Sequence, residues 1–194
     1  MTLNTRAETE TGKIARGLRE RDTELLADLV ERYQNRLVRY LLYLTGRREH
    51  AEDLAQETWI RVLQRGSQYD GRQPFDPWLF AIARNLAIDY LRKIRAVQTG
   101  SLPDDGNEML LLPSSGPSPF EAAARSEDAM RLAGRLQILP PLYREALLLR
   151  FQEELSLAEI AQVVGAPVTT VTSRIYRGLA ALRSAFEEGD SHGV

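Results

Sequence analysis

The 194-residue chain has no cysteine. That excludes a disulfide framework, a thiolate zinc or iron–sulfur site and a cysteine nucleophile. Histidine is nearly as scarce: His50 and His192 form no cluster for a metal or a proton relay. Lysine is limited to Lys13 and Lys93, so the other 23 of the 25 basic residues are arginines, planar donors of fixed charge. There is no excess of either sign, with 27 acidic residues giving a net charge of −2, so this is not a polycation that grips nucleic acid by bulk charge. Long apolar runs are missing too. The longest, such as Leu110–Pro113 and Ala146–Leu149, fall far below the roughly 20 residues of a membrane span. Met1–Arg6 lacks the apolar core of a secretory signal, so a cytoplasmic chain is expected. No stretch alternates apolar and polar residues between turn signals, and no internal repeat is visible.

What is present is helical spacing, and it predicts an all-α fold. A weakly amphipathic start around Ile14 and Leu18 precedes Asp22, an N-cap for a helix reaching Thr45 and ended by Gly46. Leu25, Leu29, Tyr33, Leu37, Tyr40 and Leu44 step along it by three or four. A second helix spans Arg48 to Arg65 and stops at Gly66. After the loop Gly66–Phe75, Asp76-Pro77 reads as a cap followed by proline at the first helical position, with the helix running to about Arg95. Residues 96–119 hold four of the nine prolines, three glycines and several acidic residues, and read as a linker without a fixed helix. Its Met109–Leu112 patch is apolar enough to dock. Helical spacing resumes over Phe120–Leu139, Pro141–Gln152, Leu157–Val164 and Val168–Phe186. The expected organisation is a helical domain over 1–95, the linker 96–119, a second helical domain over 120–188 and a tail.

Leu157–Val164, Gly165-Ala166-Pro167 and Val168–Leu182 have the proportions of a helix-turn-helix. At about 100° per residue, Val168, Val171, Ile175, Leu179 and Leu182 fall on one face, with Gly178 near its edge. Thr169, Thr170, Ser173 and Arg177 lie opposite, with Arg174 on the flank. Small hydroxyls followed one turn later by arginine suit a major groove. An ordinary helical hairpin with a solvated polar face is the plainer reading.

On Arg48–Arg65, Ala51, Leu54, Ala55, Thr58 and Val62 face inward. The opposite face interleaves Asp53, Gln56, Glu57 and Gln64 with Ile60 and Leu63. Carboxylates mixed with exposed aliphatics suit a protein partner, unless the neighbouring domain covers Ile60 or Leu63. A carboxylate metal bundle would need Glu-x-x-His pairs on facing helices, and none occurs. The helix after Pro77 is apolar almost all round and so mostly buried. Between its apolar faces runs a mixed stripe of Trp78, Asn85, Asp89 and Arg92, with Phe75 upstream and Lys93 at the end. Trp can stack on an unpaired base, Asn can read a base edge and Arg can take a phosphate. Core packing of Trp78 and dipole complementation by the terminal cations explain the same residues blandly.

Taken together these segments resemble the extracytoplasmic-function group of bacterial RNA polymerase sigma factors. His50-Ala-Glu-Asp-Leu-Ala-Gln-Glu-Thr-Trp is similar to the family's polymerase-binding helix. Phe75-Asp-Pro-Trp-Leu-Phe-Ala-Ile-Ala-Arg-Asn, continuing to Asp89 and Arg92-Lys93, is similar to its promoter-melting and minus-ten helix. Leu139-Pro-Pro-Leu-Tyr-Arg-Glu-Ala and Leu157–Arg183 look like its minus-thirty-five domain. The recognition helix departs from the family pattern at Val168-Thr169-Thr170 and at Thr172, and Leu157 replaces a common aromatic. These departures bear on which sequence is read.

The resemblance implies a transcription initiation factor with no catalysis, cofactor or metal of its own. Its implied partners are core RNA polymerase (the clamp helices of the largest subunit and the flap region), promoter DNA and an anti-sigma factor. Asp53, Gln56, Glu57, Ile60 and Leu63 are then expected at the polymerase. Phe75, Trp78, Asn85, Asp89, Arg92 and Lys93 are expected at minus-ten DNA, and Thr169, Thr170, Ser173, Arg174 and Arg177 at minus-thirty-five DNA. The resemblance also accounts for the near-neutral charge, since residues 24–95 carry 12 basic and 10 acidic side chains, a net +2 that gives little nonspecific DNA affinity alone. A helix-turn-helix regulator that recruits nothing is the alternative, and it predicts a ligand pocket or dimer helix and no apolar residues in the Asp53–Gln64 stripe. An enzyme is the weakest reading, with no nucleophile–base set or phosphate loop in view.

Overall fold

Asp22 does what its position implies. Its carboxylate accepts hydrogen bonds from the backbone N–H groups of Glu24 and Leu25 (2.9 and 3.2 Å) and opens a helix over Thr23–Thr45 that closes at Gly46 in the left-handed conformation. The structure is a computed structural model that describes residues 2–99 and 139–190, and among these every regular element is helical. In chain order they are α1 (Thr2–Glu20), α2 (Thr23–Thr45), α3 (Arg48–Arg65), a 3-10 turn (Gly66–Gln68) and α4 (Phe75–Thr99). Then follow α5 (Pro141–Leu147), which runs on as a π turn (Leu148–Gln152), α6 (Leu157–Val164) and α7 (Val168–Asp190). No described helix is long and apolar enough to cross a membrane.

Helices α1–α4 pack around a core in which Leu29, Tyr33, Leu37, Tyr40 and Leu44 of α2 are buried, as their spacing predicts. Leu25, at the first turn, is only half-buried. α3 buries Ala51, Leu54, Ala55, Thr58 and Val62, the set expected to face inward. α4 differs from expectation at both ends. It begins at Phe75, so Asp76 is in the first turn instead of capping it, and its carboxylate is taken by the Tyr33 hydroxyl and by Arg36 (2.9 Å). A partner from α2 outcompetes the local backbone for that carboxylate. α4 also continues to Thr99, so residues 96–99, assigned to the linker by composition, are helical. The rest of the expected linker, its Met109–Leu112 patch and the expected helix from Phe120 to Ile138 lie outside the described residues. Leu139 itself is buried in a bend that is not helical.

The C-terminal helices stand on two local devices. Ser156 and Glu159 form a capping box: Glu159 N–H donates to Ser156 Oγ at 3.3 Å, and Ser156 N–H donates to Glu159 Oε2 at 2.7 Å. Gly165, at φ 64°, makes the left-handed turn between α6 and α7 that a Cβ would strain. Because α6 has only eight residues, its cap is a large share of its local stability. Ser156→Ala is therefore expected to lower the unfolding free energy by about 1 kcal/mol, and Ser156→Asp to retain it. Urea titration followed by circular dichroism measures both.

One apolar cluster is shared by both halves of the chain. Tyr40, Phe80, Ala83 and Ala87 are continuous with Leu149, Ile160, Val163 and Val164. The two helical groups are thus packed together, α6 lying on α4, where sequence reading had only a tether between them.

Candidate polymerase and nucleic-acid interfaces

α3 presents one side to solvent. Ile60 is 45% and Leu63 44% exposed, flanked by exposed Asp53 and Gln56 and half-buried Glu57. No neighbouring helix covers either aliphatic, which answers the covering alternative among the described residues. The Glu57 carboxylate accepts from Arg61 Nε at 2.9 Å across one helical turn, a solvated pair of little energetic weight. The face is therefore apolar in its middle and anionic at its edge, the complement of a basic helix with apolar positions.

The loop before α4 and the first turns of α4 enclose a hollow of about 440 Å³, lined by Tyr69, Asp70, Arg72, Trp78 and Ala81, with Gln162 of α6 on its rim. Tyr69 and Trp78 build its aromatic wall, their ring centroids 5.2 Å apart. Trp78 is half-exposed and lines the hollow, where its ring is accessible in part. Phe75 is 2% exposed and packs edge-on against Tyr33. It supports Tyr69 and Trp78 from beneath and does not itself reach a ligand, a correction to its expected place at DNA. Hydrogen bonding of the Tyr69 hydroxyl to the Gln73 carbonyl (2.6 Å) holds the loop, and burial pushes that phenol up, beyond the usual tyrosine range. Farther along α4, Asn85, Asp89 and Lys93 are exposed and Arg92 half-exposed, on the side away from the core. Asp89 and Arg92 lie 3.8 Å apart, so that arginine remains available to a phosphate.

On α7, Thr169, Thr170, Ser173, Arg174 and Arg177 line one cleft together with Leu142 and Tyr143 of α5. The helix is turned slightly from its expected setting. Val171, Ile175 and Gly178 are buried and Leu182 half-buried, whereas Val168 and Leu179 are 44% and 41% exposed. At about 100° per residue the packed face is centred on Val171 and Gly178, with Val168 and Leu179 at its margin. Gly178 sets this rotation by allowing close approach: a Cβ there would sit 3.0 Å from Leu147 Cδ1 and 3.3 Å from Tyr143 Cβ. The turn also brings Arg174 into the same cleft as Arg177 instead of onto its flank.

Comparison with known proteins bears on all three faces at once. The Sigma-70 region 2 family matches residues 29–97, and the Sigma-70 region 4 family matches 129–182. The chain is 33% identical over 171 residues to the ECF RNA polymerase sigma factor SigW of Bacillus subtilis, covering 86% of this chain and 91% of that protein. The chain belongs to the ECF RNA polymerase sigma factors. It is also 36% identical over 158 residues to SigE of Mycolicibacterium smegmatis, covering 80% of this chain and 59% of the longer relative. The solved sigma factor RpoE from Bartonella quintana, crystallised with the anti-sigma factor NepR, shares the fold at a TM-score of 0.64 and 22% identity, covering 83% of this chain and 96% of that one.

In this sigma factor the region 2 match contains the α3 face and the α4 stripe, and the region 4 match contains the α7 cleft. Arg84 and Glu145, to which sequence reading gave no role, meet Tyr40, read there only as an apolar position, at the contact between the two regions. Arg84 is 3% exposed on α4, and Tyr40 and Glu145 are fully buried. Their signal was present but local rules read it otherwise. An arginine inside an apolar run looks like a snorkelling surface residue, and only a partner from 61 positions away makes its burial intelligible.

Proposed function

We propose that this sigma factor binds core RNA polymerase chiefly through Asp53, Gln56, Glu57, Ile60 and Leu63 against the clamp helices of the largest subunit. Region 4 would meet the flap region and hold the minus-thirty-five duplex in the α7 cleft. Trp78, Asn85, Asp89, Arg92 and Lys93, with the Tyr69–Trp78 hollow, would take the unpaired minus-ten strand. The chain acts without catalysis of its own, in the cytoplasm where polymerase works. Its domains would be residues 1–95 extended to the end of α4, and 120–188. An anti-sigma factor as partner is supported by the complex in which the Bartonella quintana relative was solved.

The observation that carries this reading is the exposed pair Ile60 and Leu63 among carboxylates on α3. A regulator that only binds an operator has no use for aliphatic side chains there, and exposing them costs solubility. The decisive experiment adds the purified chain to core polymerase on a duplex promoter template. Promoter-dependent run-off transcripts are expected, and DNA binding without them would favour the operator-binding alternative.

The melting role is separable. Asn85 stands exposed on a helix whose opposite faces are buried, and its amide offers both donor and acceptor to a base edge. Asn85→Ala is expected to reduce open-complex formation several-fold on duplex promoters and less on a pre-melted bubble. Equal loss on both templates, or none on either, would show that the stripe has another role.

A further inference from the structure

Among the described residues, five donor-to-acceptor contacts between regions 2 and 4 run one way. Arg84 Nε donates to Glu145 Oε1 at 2.8 Å, and the Tyr40 hydroxyl donates to the same oxygen at 2.8 Å. Arg36 Nε donates to Glu153 Oε2 at 2.7 Å, with Arg39 3.9 Å from the other Glu153 oxygen. The Tyr43 hydroxyl donates to the Pro141 carbonyl at 2.9 Å. Each of these donors sits on α2 or α4, and each acceptor on α5, its π turn or the residue that closes that turn. Both Glu145 and Glu153 are sealed from solvent, their side chains fully buried. Burial pushes the Tyr40 phenol well up from its ordinary value, and the Glu145 carboxylate adds to it, so Tyr40 remains a donor.

Such an arrangement is specific without being a permanent core. A buried ion pair adds little net stability over an apolar contact, yet losing one partner is costly because the other charge stays buried. Between two separable groups of helices that cost has an outlet, since separation returns every charge to water. Arg36 would keep Asp76 at 2.9 Å after separation, so region 2 loses little internal structure.

The packed arrangement is also the wrong size for a promoter. α7 packs on α6, and α6 on α4. At roughly 8–10 Å between packed axes, the recognition helix lies on the order of 20 Å from the minus-ten helix. Elements centred near −35 and −10 are about 25 base pairs apart, on the order of 85 Å at 3.4 Å per pair. The shortfall is about fourfold. Gln162 of α6 additionally stands at the rim of the Trp78 hollow. The linker from Thr99 to Phe120 is 21 peptide steps long, enough to span about 70 Å when extended at ~3.3 Å per residue, and the helix expected from Phe120 adds to that reach.

We propose that this packing is a self-inhibited form of the sigma factor, latched by Arg84, Tyr40 and Glu145 and seconded by Arg36 and Glu153, and that holoenzyme formation opens it. The proposal rests on the sigma-factor reading above. The α3 face stays exposed in the latched form, so polymerase docks there first and draws region 4 away afterwards. Off polymerase, the chain does not engage both promoter elements together.

The absence of cysteine makes the test clean. Glu31→Cys and Ser184→Cys, both at exposed positions, place spin labels on α2 and α7 of the full-length chain for double electron–electron resonance. A single short distance is expected for the free protein, lengthening by tens of ångströms on addition of core polymerase. Glu145→Arg faces Arg84 with a second cation and should give long, broad distances in the free chain. Arg84→Glu combined with Glu145→Arg should bring back the short one. Because polymerase no longer has to open the latched form, Glu145→Arg should raise the apparent affinity for core about fivefold or more, and the charge swap should reverse the gain. If Glu145→Arg loses helical ellipticity, Glu145→Gln carries the test in the same directions. A long distance in the free wild-type chain, a short one in the charge-reversed variant, a swap that stays open, or opening without a change in affinity would each overturn the latch. Failure of the wild type in run-off transcription would instead strike the sigma-factor reading, on which the free-chain distances do not depend.

Discussion

Asp53→Arg combined with Glu57→Arg is expected to abolish holoenzyme assembly while leaving the chain folded. The two substitutions change the charge of the α3 face by four units beside Ile60 and Leu63, the proposed apolar contact. Facing a basic partner helix, each reversal replaces an attraction with a repulsion, and like-charge juxtaposition at an interface costs several kcal/mol. Within the chain the damage is small. Asp53 is exposed, and the Glu57–Arg61 pair is a solvated i,i+4 contact whose reversal costs only a few tenths of a kcal/mol. The inward face of Ala51, Leu54, Ala55, Thr58 and Val62 is untouched. Affinity for core is read by fluorescence anisotropy and folding by circular dichroism. The same reversals at exposed Glu24 and Glu31 on α2 control for bulk charge. Wild-type affinity in the α3 double variant would place the polymerase contact elsewhere.

The second large effect is expected at the recognition helix. Arg174 and Arg177 share a cleft with Thr169, Thr170 and Ser173, and neither is ion-paired within the described chain. Arg177 is exposed at the side opposite the packed residues, whereas Arg174 is half-buried nearer the cleft wall formed by Leu142 and Tyr143. On the proposed reading a bidentate pairing with guanine falls to Arg177 and would contribute on the order of 1–3 kcal/mol of discrimination against the wrong base. Arg174, on the same reading, would hold phosphate. Arg177→Ala should weaken the preferred minus-thirty-five element and flatten base preference at one or two positions. Arg174→Ala should weaken all templates alike and shallow the salt dependence of binding by about one unit of slope. Selection on randomised minus-thirty-five DNA separates the two. An unchanged preference in Arg177→Ala would mean that the helix docks differently, with Thr169-Thr170 shifting it along the groove.

The helices and their order were legible in the residues because the information is local. Asp22 caps, Gly46 terminates, and the spacing of Leu29, Tyr33, Leu37, Tyr40 and Leu44 names a face, all within a few turns of chain. The same holds for α3, whose two faces were assigned correctly, since its alternation of small apolar and acidic residues repeats with the helical period. The α6–α7 hairpin follows from Ser156, Glu159 and Gly165 for the same reason.

Tertiary structure decided what periodicity averages over. Phe75 looked like a surface aromatic beside a mixed stripe, but the rings of Tyr33 and Tyr69 enclose it from elements distant in sequence. Val168 and Leu179 matched the apolar face of α7 by angle, yet the close approach of Leu147 and Tyr143 to Gly178 rotates the helix away from them. Asp76 left its capping role because Tyr33 and Arg36 reach it from α2. Most of all, the pairing of Arg84 and Tyr40 with Glu145 joins residues 61 and 105 positions apart. Caps, turns and amphipathic faces are set by interactions spanning about four residues, so the chain alone determined its all-helical class, most of its helix positions and the mixed acidic and aliphatic face of α3. Which charge is buried against which depends on long-range packing, where burial itself decides whether a polar group is neutralised or exposed, and that was settled only in three dimensions.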